Sequence, residues 1–305
     1  MKTMILCMLL GGFMAKTKKP LIIRFLIWIF SIVCSLALLL GAACLFVKLK
    51  YDVSVFSTIS QVKTLNETVD ETKYDARFSD DDMKSAQIAV NAKMKGLISY
   101  SEESGYKIGE EGIGVESKIS ADLLLSDKQL GAIINTLISQ NEEGMTLDIS
   151  GNKLQISFLQ VKFVEVREKE ADINIVVKVD VRDLKQKMNS FPMDLIAKKI
   201  PDYLYISSTS TVKKGENAFE YEILSKNIEI NNLSSDDTKS FLNTLNLVFK
   251  FGTSDDFNLM IASPFVNALI GNEENNGFAY SLKGLDVKDY DFVVVDEINY
   301  YVLKA

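Results

Sequence analysis

Histidine is absent from all 305 residues, and cysteine occurs only as Cys7, Cys34 and Cys44. Without histidine there is no Ser-His-Asp or Cys-His relay, and the commonest transition-metal ligand is missing. Beyond Cys44 the chain has no thiol for a nucleophile, a zinc cage or a disulfide. No glycine-rich phosphate loop or metal-ligand cluster stands in their place. These absences predict a non-catalytic protein with no cofactor. Positive charge is scarce where a nucleic-acid reader needs it. Seven of the 34 basic residues (Lys2, Lys16, Lys18, Lys19, Arg24, Lys48, Lys50) lie in residues 1–50, which hold no acid. The remainder has 27 basic against 41 acidic residues, about −14. Such a surface repels phosphate backbones, so nucleic acid is not an expected partner.

What the chain does have is one long apolar run. Residues 25–47 are 23 positions without a charge, enough for a helix of about 34 Å that crosses a hydrocarbon core. Trp28 sits near one end, five basic residues precede the run and two follow it. The positive-inside rule then places the N-terminus in the cytoplasm and the rest outside it. Gly41-Ala42-Ala43 matches a signal-peptidase site, yet the apolar run continues through residue 47, which favours an uncleaved anchor. Cys44 invites a lipoprotein reading, but Gly41 stands where that signal has leucine. The expected organisation is a cytoplasmic segment 1–24, a transmembrane helix 25–47, a stalk 48–78 and an extracytoplasmic domain 79–305.

Local patterns within the domain predict helices and long strands. Ser79 before Asp80, Asp81 and Asp82 reads as a helix cap. Ser126 and Gln129 form a capping box, followed by Leu130, Ile133, Ile134, Leu137 and Ile138 at helical spacing. Strands are expected over 146–150 and 153–166, and the apolar phase shifts at Phe158-Leu159, which calls for a bulge. Ile173, Ile175, Val177, Val179 and Val181 alternate with mostly polar partners, the pattern of an antiparallel strand buried on one face. Residues 183–199 read as helix interrupted near Pro192, 203–212 and 218–230 as strands, and 234–249 and 254–270 as helices. Alternation resumes at Phe278, Tyr280 and Leu282 and again over 292–302. The fold class is therefore α+β: an N-terminal transmembrane helix followed by a strongly curved antiparallel sheet packed on helices. Asp286, Asp289 and Asp291 read as solvated carboxylates rather than acid–base catalysts, and Ser126 and Ser234 as caps rather than nucleophiles.

The stretch Ser126-Asp127-Lys128-Gln129-Leu130-Gly131-Ala132-Ile133-Ile134-Asn135 resembles the early helix of YpmS-like membrane-anchored exported proteins. Phe191-Pro192-Met193-Asp194-Leu195-Ile196-Ala197-Lys198-Lys199-Ile200-Pro201 is similar to that family's proline-containing helix. Tyr203-Leu204-Tyr205-Ile206 and Asn227-Ile228-Glu229-Ile230-Asn231 fit its strand pattern. The resemblance covers about residues 120–232 and the anchor topology, and residues 234–305 extend beyond it. The family is related in architecture to the tubular lipid-binding (BPI-like) superfamily, in which a curved sheet wraps a helix around an apolar groove. The resemblance implies a membrane-anchored lipid- or amphiphile-binding module of the cell envelope. Its groove would be lined by Leu130, Ile133, Ile134 and Leu137 on the helix and Ile173, Ile175, Val177 and Val179 on the strand. The alternative is a structural or interaction domain with an envelope protein as partner, in which those residues fill an ordinary core. An oversized groove marks the first, a closed core with a flat apolar surface patch the second.

Overall fold

The computed structural model describes residues 55–109, 117–140, 146–149, 151–187 and 197–305, together with the single positions Ser35, Leu38 and Lys48. The apolar run 25–47, apart from two of those positions, and residues 188–196 around Pro192 lie outside the described residues. Among the described residues no helix is long and apolar enough to cross a membrane. The chain divides into a unit of residues 1–55 and a compact unit from Phe56 to Ala305.

Chain order in the compact unit follows the caps and alternations closely. Helices α1 (Val55–Leu65) and α2 (Asp80–Lys93) precede a hairpin of β1 (Ile98–Ser101) and β2 (Gly105–Ile108). Short β3 (Leu123–Leu125) then leads into α3 (Asp127–Ser139). A meander follows: β4 (Thr146–Ile149), β5 (Asn152–Arg167), β6 (Glu170–Asp180), α4 (Arg182–Lys187), β7 (Tyr203–Lys214) and β8 (Tyr221–Ile230). Helices α5 (Ser235–Phe249), α6 (Ser254–Leu269) and α7 (Phe278–Ser281) come next, then β9 (Asp289–Val295) and β10 (Ile298–Lys304). Ser79 and Asp82 cap α2, with the Ser79 N–H donating to Asp82 at 2.8 Å. Ser126 likewise donates its N–H to Gln129 Oε1 at 3.0 Å at the start of α3. These side chains satisfy N–H groups that a helix start leaves unpaired.

The meander forms a five-stranded antiparallel sheet in the order β4-β5-β6-β7-β8, bent into a half-barrel. Its curvature has a local cause. The β5–β6 register slips at Leu159, where the sequence phase predicted a bulge, and again at Val164. The β7–β8 register slips at Lys226. Each extra residue kinks its strand and increases the twist. Helix α3 lies against β5, and α6 lies against β7 and β8, so the concave face is covered. Phe158 of β5 stacks on Phe265 of α6 at 5.2 Å and on Phe78 at 5.4 Å, an aromatic row at the centre of the core. Gly131 permits this, because a Cβ there would sit 2.7 Å from Phe78 Cδ1.

Much of the stretch expected as a stalk packs on the domain. From Phe56 it belongs to the compact unit. Val62 and Leu65 of α1 are buried, and residues 70–77 cross the convex side of the sheet. There the Ala76 N–H donates to Gln160 Oε1 at 3.1 Å, Lys162 pairs with Asp75 at 2.7 Å, and Tyr74 stacks with Tyr205 at 6.3 Å. Asn231 fastens the crossing by accepting from the Tyr205 N–H at 2.7 Å while donating to the Leu65 carbonyl at 2.8 Å. Within α1, Val62 and Leu65 pack into the domain while Ile59 stays exposed.

Residues 278–282 are helical rather than extended. Phe278, Ala279 and Leu282 are buried at i, i+1 and i+4: the i, i+4 pair fits alternation too, but the buried i+1 neighbour fits only a helical face. Gly271 and Gly277 touch backbone to backbone and fold the segment back on the end of α6, leaving no extended neighbour for it to pair with.

The last two strands complete a second sheet, β3-β10-β9, all antiparallel. Its inner face carries Leu123, Leu125, Tyr290, Phe292, Tyr301 and Leu303, all buried. Phe292 meets Phe163 of β5 edge-on at 5.7 Å, and Asn299 Nδ2 donates to the Phe163 carbonyl at 2.8 Å.

Candidate functional site

The expected groove lining can be followed residue by residue. Leu130, Ile133 and Ile134 of α3 and Ile173, Ile175 and Val177 of β6 are 0% exposed, and Val179 is 1% exposed. Leu137, one turn further along α3, is partly buried against the same cluster. All eight belong to one continuous apolar core shared with Phe158, Phe265, Ile261 and Val266. The helix face and the strand face thus belong to the same core, with α3 lying against β5, the neighbour of β6. Zero accessible surface also means that no water-sized void touches these side chains. Apart from Leu137, they are surrounded by protein, as the side chains of a filled core are.

The polar residues do not converge on a reaction centre. Asp286 pairs with Lys118 at 2.8 Å, Asp289 pairs with Lys214 at 2.6 Å, and Asp291 lies 4.0 Å from Lys304. Asp289 also accepts from the Phe219 N–H at 3.0 Å, which ties the β7–β8 turn to β9. Burial pushes the Asp127 carboxyl up to about 6, partly opposed by a hydrogen bond from the Phe163 backbone and by Lys162. A raised carboxyl suits acid–base work, but Asp127 occupies the first turn of α3, and its charged neighbours Lys162 and Asp75 are paired with each other at 2.7 Å. Among the described residues no cluster of acidic, histidine or cysteine side chains is arranged to hold a metal ion.

Asn258 is polar and fully buried, and its role is architectural. It accepts from the Ser208 hydroxyl at 2.6 Å and donates to the Thr209 carbonyl at 3.0 Å and to Ser225 at 2.9 Å. Those partners flank the Lys226 bulge, so Asn258 holds α6 to the place where the ladder is interrupted.

The feature that sequence reasoning missed is on the outside. Residues paired across β3, β10 and β9 share a face. Leu124, Val302, Tyr300, Val293, Val295 and Ile298 therefore occupy the outer side of the small sheet, opposite the buried aromatics, and Asp289, Asp291 and Lys304 share that side at the end away from the hairpin tip. Val302 is buried, while Val295 is 41% and Ile298 51% exposed. The signal was the unbroken run Val293-Val294-Val295, which puts apolar residues on both faces of a strand where strict alternation would leave one polar. At the tip, Asp296 and Glu297 form the two-residue turn with φ of 49° and 65°. Two positive φ angles suit Asn-Gly, and two acidic residues there cost on the order of 1 kcal/mol each. The turn therefore holds a pair of carboxylates at the end of an apolar face.

Comparison of the chain with protein-family models, curated proteins and solved structures finds no match.

Proposed function

We propose that this chain is a membrane-anchored, non-catalytic interaction domain of the cell envelope, which recognises a protein partner through its surface. The observation that carries this reading is the zero exposure of Ile173, Ile175 and Val177 on β6, between the strands against which α3 and α6 lie. The face that would have lined a lipid groove is already occupied by the protein's own side chains. The apolar outer side of the β3-β10-β9 sheet offers the surface patch that such a domain uses. The uncharged run 25–47 with its flanking positive charges supports the anchor and a compact unit outside the cytoplasm. The absence of histidine from the whole chain and of cysteine beyond Cys44 accords with a binding role.

Native mass spectrometry of the full chain in detergent, with extraction and counting of co-purified lipid, tests the reading. The expected result is protein mass alone once loosely held lipid has been washed away. One tightly held lipid per chain would restore the groove reading and overturn this one.

A further inference from the structure

The outer face of the small sheet is apolar towards the hairpin, from Val293 and Tyr300 to Val295 and Ile298, and carries Asp289, Asp291 and Lys304 at its far end, while the hairpin tip is acidic. Asp296 and Glu297 are exposed at the hairpin tip and have no ion pair among the described residues. At the other end, Lys304 is already held between Asp122 at 3.2 Å and Asp291 at 4.0 Å. The charge left unmatched around this face is therefore negative. It lies on a chain segment, 51–305, that carries about −14 overall.

We propose that this face docks a protein partner presenting an apolar strand or ridge flanked by lysine or arginine. The proposal rests on the interaction-domain reading above and adds the location and the chemistry of the partner. Val295 and Ile298, paired across β9 and β10, offer the apolar contact. Tyr300 and Leu124 extend it across the sheet. Asp296 and Glu297 then meet the partner's cations, and the field of the whole segment draws a basic surface in while rejecting an acidic one. The same carboxylates disfavour a bilayer as the occupant. The tip that would enter first carries two charges, and an anionic leaflet repels both. A second copy of the chain is also disfavoured, because it brings an equally acidic rim to the contact.

The test uses the full chain in neutral phosphatidylcholine nanodiscs and a short fluorescent peptide of alternating valine and lysine. Saturable binding by anisotropy is expected, with no binding of the matching valine–glutamate peptide. Val295→Ser combined with Ile298→Ser leaves the charge unchanged and is expected to weaken binding about fivefold or more. Asp296→Asn combined with Glu297→Gln is expected to weaken it about threefold and to flatten its salt dependence. Both residue pairs are exposed, and an unchanged melt confirms that each variant is folded. Equal affinity for the two peptides overturns the proposal, as does binding indifferent to Val295 and Ile298, which would be general attraction to an acidic protein. Loss of self-association in the serine variant would assign the face to a second copy instead. Loss of its binding to phosphatidylglycerol vesicles would assign it to the membrane. Failure of the interaction-domain reading itself shows separately, as lipid retained by the wild-type chain.

Discussion

Phe265→Ala is expected to destabilise the compact unit by about 3–5 kcal/mol, read as a lowered urea midpoint with an unchanged slope. Phe265 is 0% exposed and stacks on Phe158, which in turn stacks on Phe78. Truncation removes a large apolar side chain where α6 meets the sheet and leaves a cavity. Gly131 already lets α3 approach Phe78 closely, so the surrounding helices have little room to close the gap. Phe265→Leu keeps much of the volume and is expected to cost less than half as much. A small effect of the alanine substitution, comparable to a surface change, would mean that the half-barrel is loosely filled.

Asp172→Ala is expected to cost about 2–4 kcal/mol, measured by the same denaturation. The Asp172 side chain has no exposed surface although it stands on the convex side of β6. It accepts from Arg167 at 3.0 and 3.2 Å, from Thr211 at 2.6 Å, and from Lys226, the bulged residue of β8. Removing the acceptor strands three donors at once, although Arg167 and Lys226 reach water and recover part of the loss. Burial alone would raise this carboxyl; the hydrogen bonds from Arg167, Lys226 and Thr211 outweigh it and hold the carboxyl at about 2.

The pH dependence follows from that depressed value. Above the ordinary carboxylate value of 3.8 the contribution is fully present, and it is lost as pH falls from 3.8 through about 2. The expected loss is about 1–2 kcal/mol, and the alanine variant should lack it. Asp127 acts with the opposite sign. Its carboxyl is raised to about 6, so the folded state holds the proton more tightly and stability declines as pH climbs from 3.8 to about 6. The two windows barely overlap, so a pH titration of the wild-type and Asp172→Ala chains separates them.

Where local signals agreed, the fold was legible in the sequence. The caps at Ser79, Ser126 and Ser234 each start a helix. The alternation from Ile173 to Val179 marks the inner face of β6, and the phase change at Phe158-Leu159 marks a real bulge. Other features depend on contacts far away in the chain. The bulge at Lys226 is held by Asn258, some thirty residues later, and by Asp172, more than fifty residues earlier. Asp172 and Asn174 looked like solvent-facing positions because their strand alternates. Asp172 is instead covered by its own partners, and Asn174 by a ladder to Ser207 and Thr209. The same limit applied to the candidate site. Apolar periodicity identified which faces of α3 and β6 turn inward, but a groove and a sealed core have identical periodicity. What distinguishes them is whether a third element fills the space, and α6, from the part of the chain beyond the family resemblance, does so. The outer sheet face was legible only as the unalternating valines before Asp296.

The central claim is that the concave face is closed. Ile175→Trp tests it most directly, because Ile175 is 0% exposed at the middle of β6, where an acyl chain would have to pass. In a filled core the larger ring has no free volume and is expected to cost about 1–3 kcal/mol, seen as a lower urea midpoint with no lipid to displace. An Ile175→Trp chain that keeps wild-type stability, and sheds a lipid that the wild type retains, would show an open groove and contradict the account.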